Sequence, residues 1–488
     1  TGYGHVRRYM SGIYSRQAYL RDLLKHARRK GIQVWVEIKE LEFPDEVLEK
    51  FPQLWKNGFI CPTEPVWFEY LNLKTEEFFE LFPDMAGIIL SPGSPESRAF
   101  LSAGKKCNCE RCQATDFGDW CHDIIMAIYD PVKARAKQLA VRDFVYTPED
   151  HERLAKVINR LPKDIAFCIK KTPRDFWPTF PNNAMFGRFK DRPQWIEYDT
   201  FGQFYGWGVC PSIMLDDLRD RLAYAKSQGA TGALIRTEWE GVDVSAFDHV
   251  NKINLIGAAQ FTQNMKEPNK RIVLRWLREE GLLKNRPASA IDVNGLTRFL
   301  LKTWQVMRKT IYIDDFVFAS SSQIPIDVNK AWFMMAFYHC LSTWDPSAAG
   351  RLDLNHTNLQ RLMAEKDDAV KLVRELIAYL NKHDFGLPPA THRYLKGQFQ
   401  FYDMYVRGFG LSAKACLLAK ALKDGTVEPA RQAELRAAQE KILQGLTDYI
   451  EELKTFEETT SHPSYVYLLL NHRNAQGILD QAREMFAK

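Results

Sequence analysis

Ala86-Gly87-Ile88-Ile89-Leu90-Ser91-Pro92-Gly93-Ser94-Pro95-Glu96 decides how this chain is read. Five residues with no charge form an apolar run too short for a helix. A loop rich in Pro and Gly follows and presents one carboxylate. An uninterrupted apolar run bounded by turn residues fits a strand buried on both faces, the kind found in parallel sheets. Five more runs of this type flank it: 33–38, 141–146, 165–169, 194–198 and 232–236. Helix-compatible stretches separate them: Leu20 to Lys30 before Gly31, Thr75 to Leu81, Lys133 to Leu139, Pro148 to Leu161, and Leu215 to Gln228. Strand and helix in alternation imply parallel strands joined by crossover helices.

Six strands do not close an eight-stranded barrel. Either the sheet is open and doubly wound, or two strands precede Thr1 or hide within residues 1–20. The polar residues favour the barrel. Nearly every strand ends in charged or turn-forming residues: Glu37 and Glu40, Ser91 to Glu96, Lys170 and Lys171, Asp199, Glu238 and Glu240. Sites on (β/α)8 barrels are assembled from such C-terminal strand ends. The expected fold is therefore α/β, a TIM-type barrel over 1–250 followed by an α-helical domain over 251–488. Helical patterns dominate the second part, as in Gln432 to Phe456 and Tyr465 to Phe486. Gly386-Leu387-Pro388-Pro389 and Gly408-Phe409-Gly410 are expected to punctuate it.

Composition narrows the function classes. Of 488 residues, 45% are hydrophobic, so a large core can be buried. No run of about 18 apolar residues is present, which argues against a membrane partner. A net charge of +5 with no long basic run gives no nucleic-acid footprint. Twelve Trp suit stacking on sugar faces as well as core packing. No Gly-x-Ser-x-Gly element marks a serine nucleophile. The compartment is not fixed by the sequence; a bacterial-type protein of cytoplasm or periplasm fits.

Four strand-end segments carry candidate chemistry. Glu96 sits where a general acid needs a partly desolvated carboxyl. Lys170-Lys171-Thr172-Pro173-Arg174-Asp175 offers cations for an anionic substituent and Asp175 for a water. Glu197 and Asp199 share one face of a strand by alternation. Glu238, Trp239 and Glu240 place a ring between two carboxylates. Each has a plainer reading: Glu96 as a solvated loop carboxylate beside Arg98, Asp175 in a basic surface loop beside Arg174, Glu197 and Asp199 paired with Arg188 or Arg192 in a core strand, and the last pair in a strand-end salt bridge with Arg236. A fifth segment, Cys107-Asn108-Cys109-Glu110-Arg111-Cys112 followed by Cys121-His122, suits a structural zinc held by Cys107, Cys109, Cys112 and His122. A disulfide or free thiols are the alternatives. The remaining cysteines, Cys61, Cys168, Cys210, Cys340 and Cys416, read as small buried hydrophobes. His5 is expected on an early loop, and His26 on a helix surface.

In their order these loops resemble those of the α-glucuronidases of glycoside hydrolase family 67 and their distant relatives, over roughly residues 80–265. Pro83 through Ser97 is similar to the segment carrying the general acid, which implies that role for Glu96. Arg142 in Arg142-Asp143-Phe144-Val145-Tyr146 matches a sugar-contacting arginine. Lys170 through Phe176 matches a loop with a substrate-binding lysine and a water-activating Asp, here Asp175. Glu197 through Gln203 matches the strand carrying a second base; Asp199 aligns best and Glu197 is its rival. The cysteine-rich segment lies outside the resemblance. What the resemblance implies is an exo-acting, inverting glycosidase on a carbohydrate partner, a terminal and acidic sugar, with no cofactor needed for catalysis. Its acid and base carboxyls would stand about 6.5–9.5 Å apart. A barrel that binds carbohydrate without cleaving it, and a metal-dependent hydrolase using the Cys/His set, are the alternatives. A second copy docked through the helical region is a further partner that the reading leaves open.

Overall fold

The computed structural model describes residues 2–56, 58–93, 96–101, 107–145, 147–426 and 428–487. Ser94, Pro95 and Tyr146, quoted above, lie outside the described residues, as does the side chain of His5. The chain divides into two compact units. One comprises 1–170, 184–196 and 228–232; the other comprises 171–183, 197–227 and 233–488.

All six expected strands form. In chain order the strands are β1 (Trp35–Lys39), the short hairpin β2 (Trp55–Lys56) and β3 (Phe59–Ile60), β4 (Gly87–Ser91), β5 (Gln138–Arg142), β6 (Ala166–Lys170), β7 (Gln194–Asp199) and β8 (Gly232–Arg236). One sheet has the order β1-β4-β5-β6-β7-β8. Its first three pairings are parallel, with Lys39 opposite Ser91, Leu90 opposite Val141, and Arg142 opposite Cys168. β4 and β6 are buried throughout, as their unbroken apolar runs require. The division between the two units falls within β7 and within β8.

Closure into eight strands is not seen among the described residues. Residues 2–20, one of the two places offered for the missing strands, belong instead to one helix, Gly2–Arg29. It contains the backbone of His5, so no early loop carries that residue. His26 is exposed on the same helix, as expected. Gly31 ends the helix at φ +68°, and the Ile32 amide returns to Ala27 O at 2.9 Å.

The crossover helices are fixed by local chemistry. Asp116 accepts from the amides of Gly118 (2.7 Å) and Asp119 (3.3 Å) to start Phe117–Ala134. Thr147 accepts from Asp150 N with Pro148 in the first turn of Pro148–Arg160. One boundary needs correction. Lys133 to Leu139 is not a helix: the chain turns at Ala136, whose φ is +54°, and β5 starts at Gln138. The expected strand 141–146 therefore ends at Arg142, and Asp143 to Val145 belong to the loop beyond it.

In the second unit, residues beyond 252 form mainly helices. Tyr402–Asp424 is buried along most of its length and packs against His356–Lys382, Pro429–Thr459 and His472–Ala487. Gly408 and Gly410 lie inside this helix and do not break it. A Cβ on Gly408 would stand 2.2 Å from Tyr449 Oη, so this glycine admits a neighbouring helix. Gly386-Leu387-Pro388-Pro389 does separate two helices, as expected. The expected helix Tyr465 to Phe486 is split at Leu470 and Asn471.

Candidate active site

In the first unit, polar side chains collect at the C-terminal ends of the parallel strands. Glu37 on β1 pairs with Arg142, the last residue of β5. Arg142 also donates to Ser91 Oγ, at the end of β4 (3.3 Å). Lys170, ending β6, is buried with its ammonium 4.0 Å from the centre of the Phe144 ring. Lys39, ending β1, reaches Glu96 at 2.5 Å. Asp143 and His151 face each other at 3.2 Å, both buried.

Glu96 is thus ion-paired to Lys39, and its side chain is 46% exposed. The desolvated surroundings expected for an acid belong to another carboxyl. Glu40, one residue past β1, is fully buried. Burial pushes its carboxyl up to about 8. One oxygen accepts from Gly93 N at 3.0 Å, so Glu40 anchors the loop that leads to Glu96. Enclosed as it is, Glu40 positions that loop. Sequence reading noted Glu40 only as a strand-end charge, because burial of a carboxyl leaves no mark on local pattern.

The sign of its pH effect follows directly. The native state holds the Glu40 proton more tightly than the unfolded chain, so stability falls as pH rises from about 4.5 to about 8. Glu40→Gln removes that titration. Its stability should match the parent near pH 4.5 and exceed it at pH 8 by about 4 kcal/mol. Denaturant unfolding of both proteins at the two pH values measures the difference. An equal offset at both would refute a buried titrating carboxyl.

In the second unit, Lys171 follows β6 and is wholly enclosed. Expected to grip a substrate anion, it is committed instead to Asp217 (3.3 Å), with its ammonium 3.9 Å from the centre of the Tyr198 ring. Tyr198 donates to the same carboxylate at 2.6 Å, and Arg221 to its other oxygen at 3.2 Å. Burial opposes charge on Asp217; Lys171 and Arg221 overcome it and hold the carboxyl below its usual range.

Asp199 is fully buried at the end of β7. Its carboxylate accepts the amides of Phe201 (3.0 Å), Gly202 (3.3 Å) and Gln203 (3.0 Å). Burial raises its pKa even so. Gly202, at φ +97°, permits the turn that brings the three amides around. Gly202 and Gln203 therefore help fold a tight loop onto Asp199. Glu197 is buried two residues earlier. Of the arginines considered as their partners, Arg188 pairs with Glu152, and Arg192 lies against Asp191.

Asp175 is half-buried in the loop after Arg174, a non-glycine residue at φ +71°. Arg174 Nε donates to His339 Nδ1 at 2.7 Å. Burial, then Arg174 and Lys330, press His339 down to about 2, so the ring accepts as a neutral imidazole. Glu240 pairs with Arg236 at 3.3 Å, the plainer of its two readings. Glu238 is exposed and lines a cavity of about 400 Å³ with Asp243, Asp248, His249 and Tyr465. Trp239 is half-buried against Trp207, ring centres 5.7 Å apart.

The cysteine set needs correction. Cys107, Cys109 and Cys112 do come together, but their fourth neighbour is Cys61. The His122 ring turns to Asp123 at 3.1 Å. Cys61 is therefore no isolated apolar filler. It was missed because it lies 46 residues before Cys107, too far for any local spacing to tie it to the other three.

No protein-family model matches this sequence, and no curated protein is similar to it. Among solved structures, the chain is similar to a GH138 enzyme targeting the pectin rhamnogalacturonan II. The TM-score is 0.56 at 13% identity, over 90% of this chain and 52% of that one. A GH115 4-O-methyl-α-glucuronidase with specificity for decorated arabinogalactans matches at a TM-score of 0.40 and 9% identity, over 95% of this chain and 52% of that one. The second likeness is too weak to carry an argument. The first shows the fold: an α/β architecture shared with a glycoside hydrolase. The chain spans about half the length of the structures it matches.

Proposed function

We propose that this chain is the catalytic part of a glycoside hydrolase, exo-acting and inverting, that removes a terminal acidic sugar from a polysaccharide. One observation carries the reading. In a fold shared with an enzyme targeting the pectin rhamnogalacturonan II, parallel strands end in Lys39, Arg142 and Lys170, with Glu37 inside β1 paired to Arg142 and Glu96 on the loop after β4. Such a set suits recognition of a hydroxylated, negatively charged ring.

In this proposal Glu96 protonates the leaving oxygen, and a second carboxylate draws a proton from water on the opposite face of the sugar. Asp175 is the first choice for that base and Glu197 the second. Asp199 ranks behind them, because three amides already occupy its oxygens. Arg142 and Lys170 would bind the acidic substituent, and Trp239, Glu238 and Glu240 would contribute at the remaining strand end. The specific tie to the family 67 α-glucuronidases rests on the loop resemblance alone.

A panel of aryl glycosides and aryl glycuronides tests the reading. Release of the aryl group from a glycuronide, above release from the matching neutral glycoside, is expected. Saturable binding of sugars with no release from any member would favour the non-catalytic carbohydrate-binding barrel.

A further inference from the structure

Four cysteines from two separate loops converge in the first unit. Cys61 follows the hairpin β2–β3, and its amide donates to Leu54 O at 2.7 Å. Its own carbonyl accepts from the buried Trp67 indole (2.8 Å), and the next carbonyl, of Pro62, accepts from the buried Trp120 indole (2.9 Å). Cys109 opens the short helix Glu110–Ala114, with its Sγ accepting from Cys112 N at 3.5 Å. The Cys61 backbone is thus held in place by contacts outside its sulfur.

Cys61 Sγ stands 3.6 Å from Cys109 Sγ and 3.5 Å from Cys112 Sγ. With Cys107, all four sulfurs lie within 4.8 Å of one another. Four thiolates, each about 2.3 Å from one tetrahedral metal, stand about 3.8 Å apart. The spacing therefore fits a shared central ion. Two cations also stand beside the cluster: Lys56 and Arg111 both pair with Glu64. They offset part of the charge of a four-thiolate site.

We propose that Cys61, Cys107, Cys109 and Cys112 bind one zinc ion. Four thiols and Zn²⁺ give a tetrathiolate complex of charge −2 and four protons, which pass to solvent; nothing is oxidised or reduced. All four positions are filled by protein, so the ion is structural and activates no water. Cys61 lies in the loop after β1, and the other three in the loop after β4, its parallel neighbour. The ion staples these two strand-end loops. On the glycosidase reading, it also steadies the loop that carries Glu96.

Metal analysis of the protein purified under reducing conditions without chelator should find one zinc per chain. Cobalt(II) added after zinc removal should give the visible bands of a tetrahedral tetrathiolate site at one equivalent. Cys61→Ser and Cys112→Ser should lose the metal, whereas His122→Ala and Cys121→Ser should keep it. Cobalt titration of the unaltered protein decides the matter if the serine variants do not fold. The proposal is overturned by a folded, reduced protein that binds neither ion, by one equivalent of iron instead, or by a disulfide among the four cysteines. It is equally overturned if His122→Ala loses the metal. None of these readouts depends on glycosidase activity, so either proposal can fail alone.

Discussion

Asp217→Ala is expected to destabilise the second unit by about 3–5 kcal/mol. The side chain it removes is the anion 3.3 Å from the Lys171 ammonium, which is wholly buried. The same substitution leaves Arg221 Nε and the Tyr198 hydroxyl without the acceptor they now share. Most of the cost is an uncompensated buried charge, rather than the worth of the pair. Replacing Lys171 by Met together with Asp217 by Leu should therefore recover much of the loss. The pH dependence has a definite sign. Burial pushes the Lys171 ammonium below its usual value, and losing Asp217 pushes it further. The unfolded chain then binds more protons than the native one, so the Asp217→Ala deficit should shrink as pH rises toward that of free lysine. Denaturant midpoints across alkaline pH measure this. A deficit below 1 kcal/mol, or one that grows with pH, would contradict the buried pair.

The second large effect belongs to Glu96. Under the proposed mechanism, Glu96→Gln removes the proton donor, and general acid catalysis contributes about 10²–10⁴-fold. That loss should appear in full for substrates with alkyl or sugar leaving groups, whose oxygen must be protonated to depart. It should be small for nitrophenyl substrates, whose leaving group departs as a stable anion. A merely structural role would lower both alike. Lys39→Met tests the partner at 2.5 Å. Losing the ammonium that holds the Glu96 carboxyl should lower kcat for substrates with alkyl or sugar leaving groups and spare the nitrophenyl ones.

The strands were legible because burial on both faces writes itself as apolar runs such as Gly87 to Leu90. Boundaries were less so. Val141 to Tyr146 looks like a strand by composition, yet Ala136 adopts a left-handed turn that starts the strand at Gln138. No local pattern announces that turn. Gly408 misled for a related reason. Glycine usually ends a helix, but here it makes room for Tyr449 from a neighbouring helix. The site residues divide in the same way. Arg142, Lys170 and Glu96 stand at strand ends because strand ends can be found in sequence. Lys171 shares that position but turns inward to Asp217, a choice set by tertiary packing. The roles of Glu40 and Cys61 were not legible because burial in one case, and partners 46 or more residues away in the other, define what they do.

The central claim is that the chain cleaves glycosides with inversion. Proton NMR of the anomeric signal during hydrolysis tests it most directly, read before the released sugar mutarotates. The account predicts that a glycuronide is hydrolysed and that the first free sugar carries the anomeric configuration opposite to that of the substrate. A first product of unchanged configuration, or no hydrolysis of any glycoside by the unaltered protein, would contradict it.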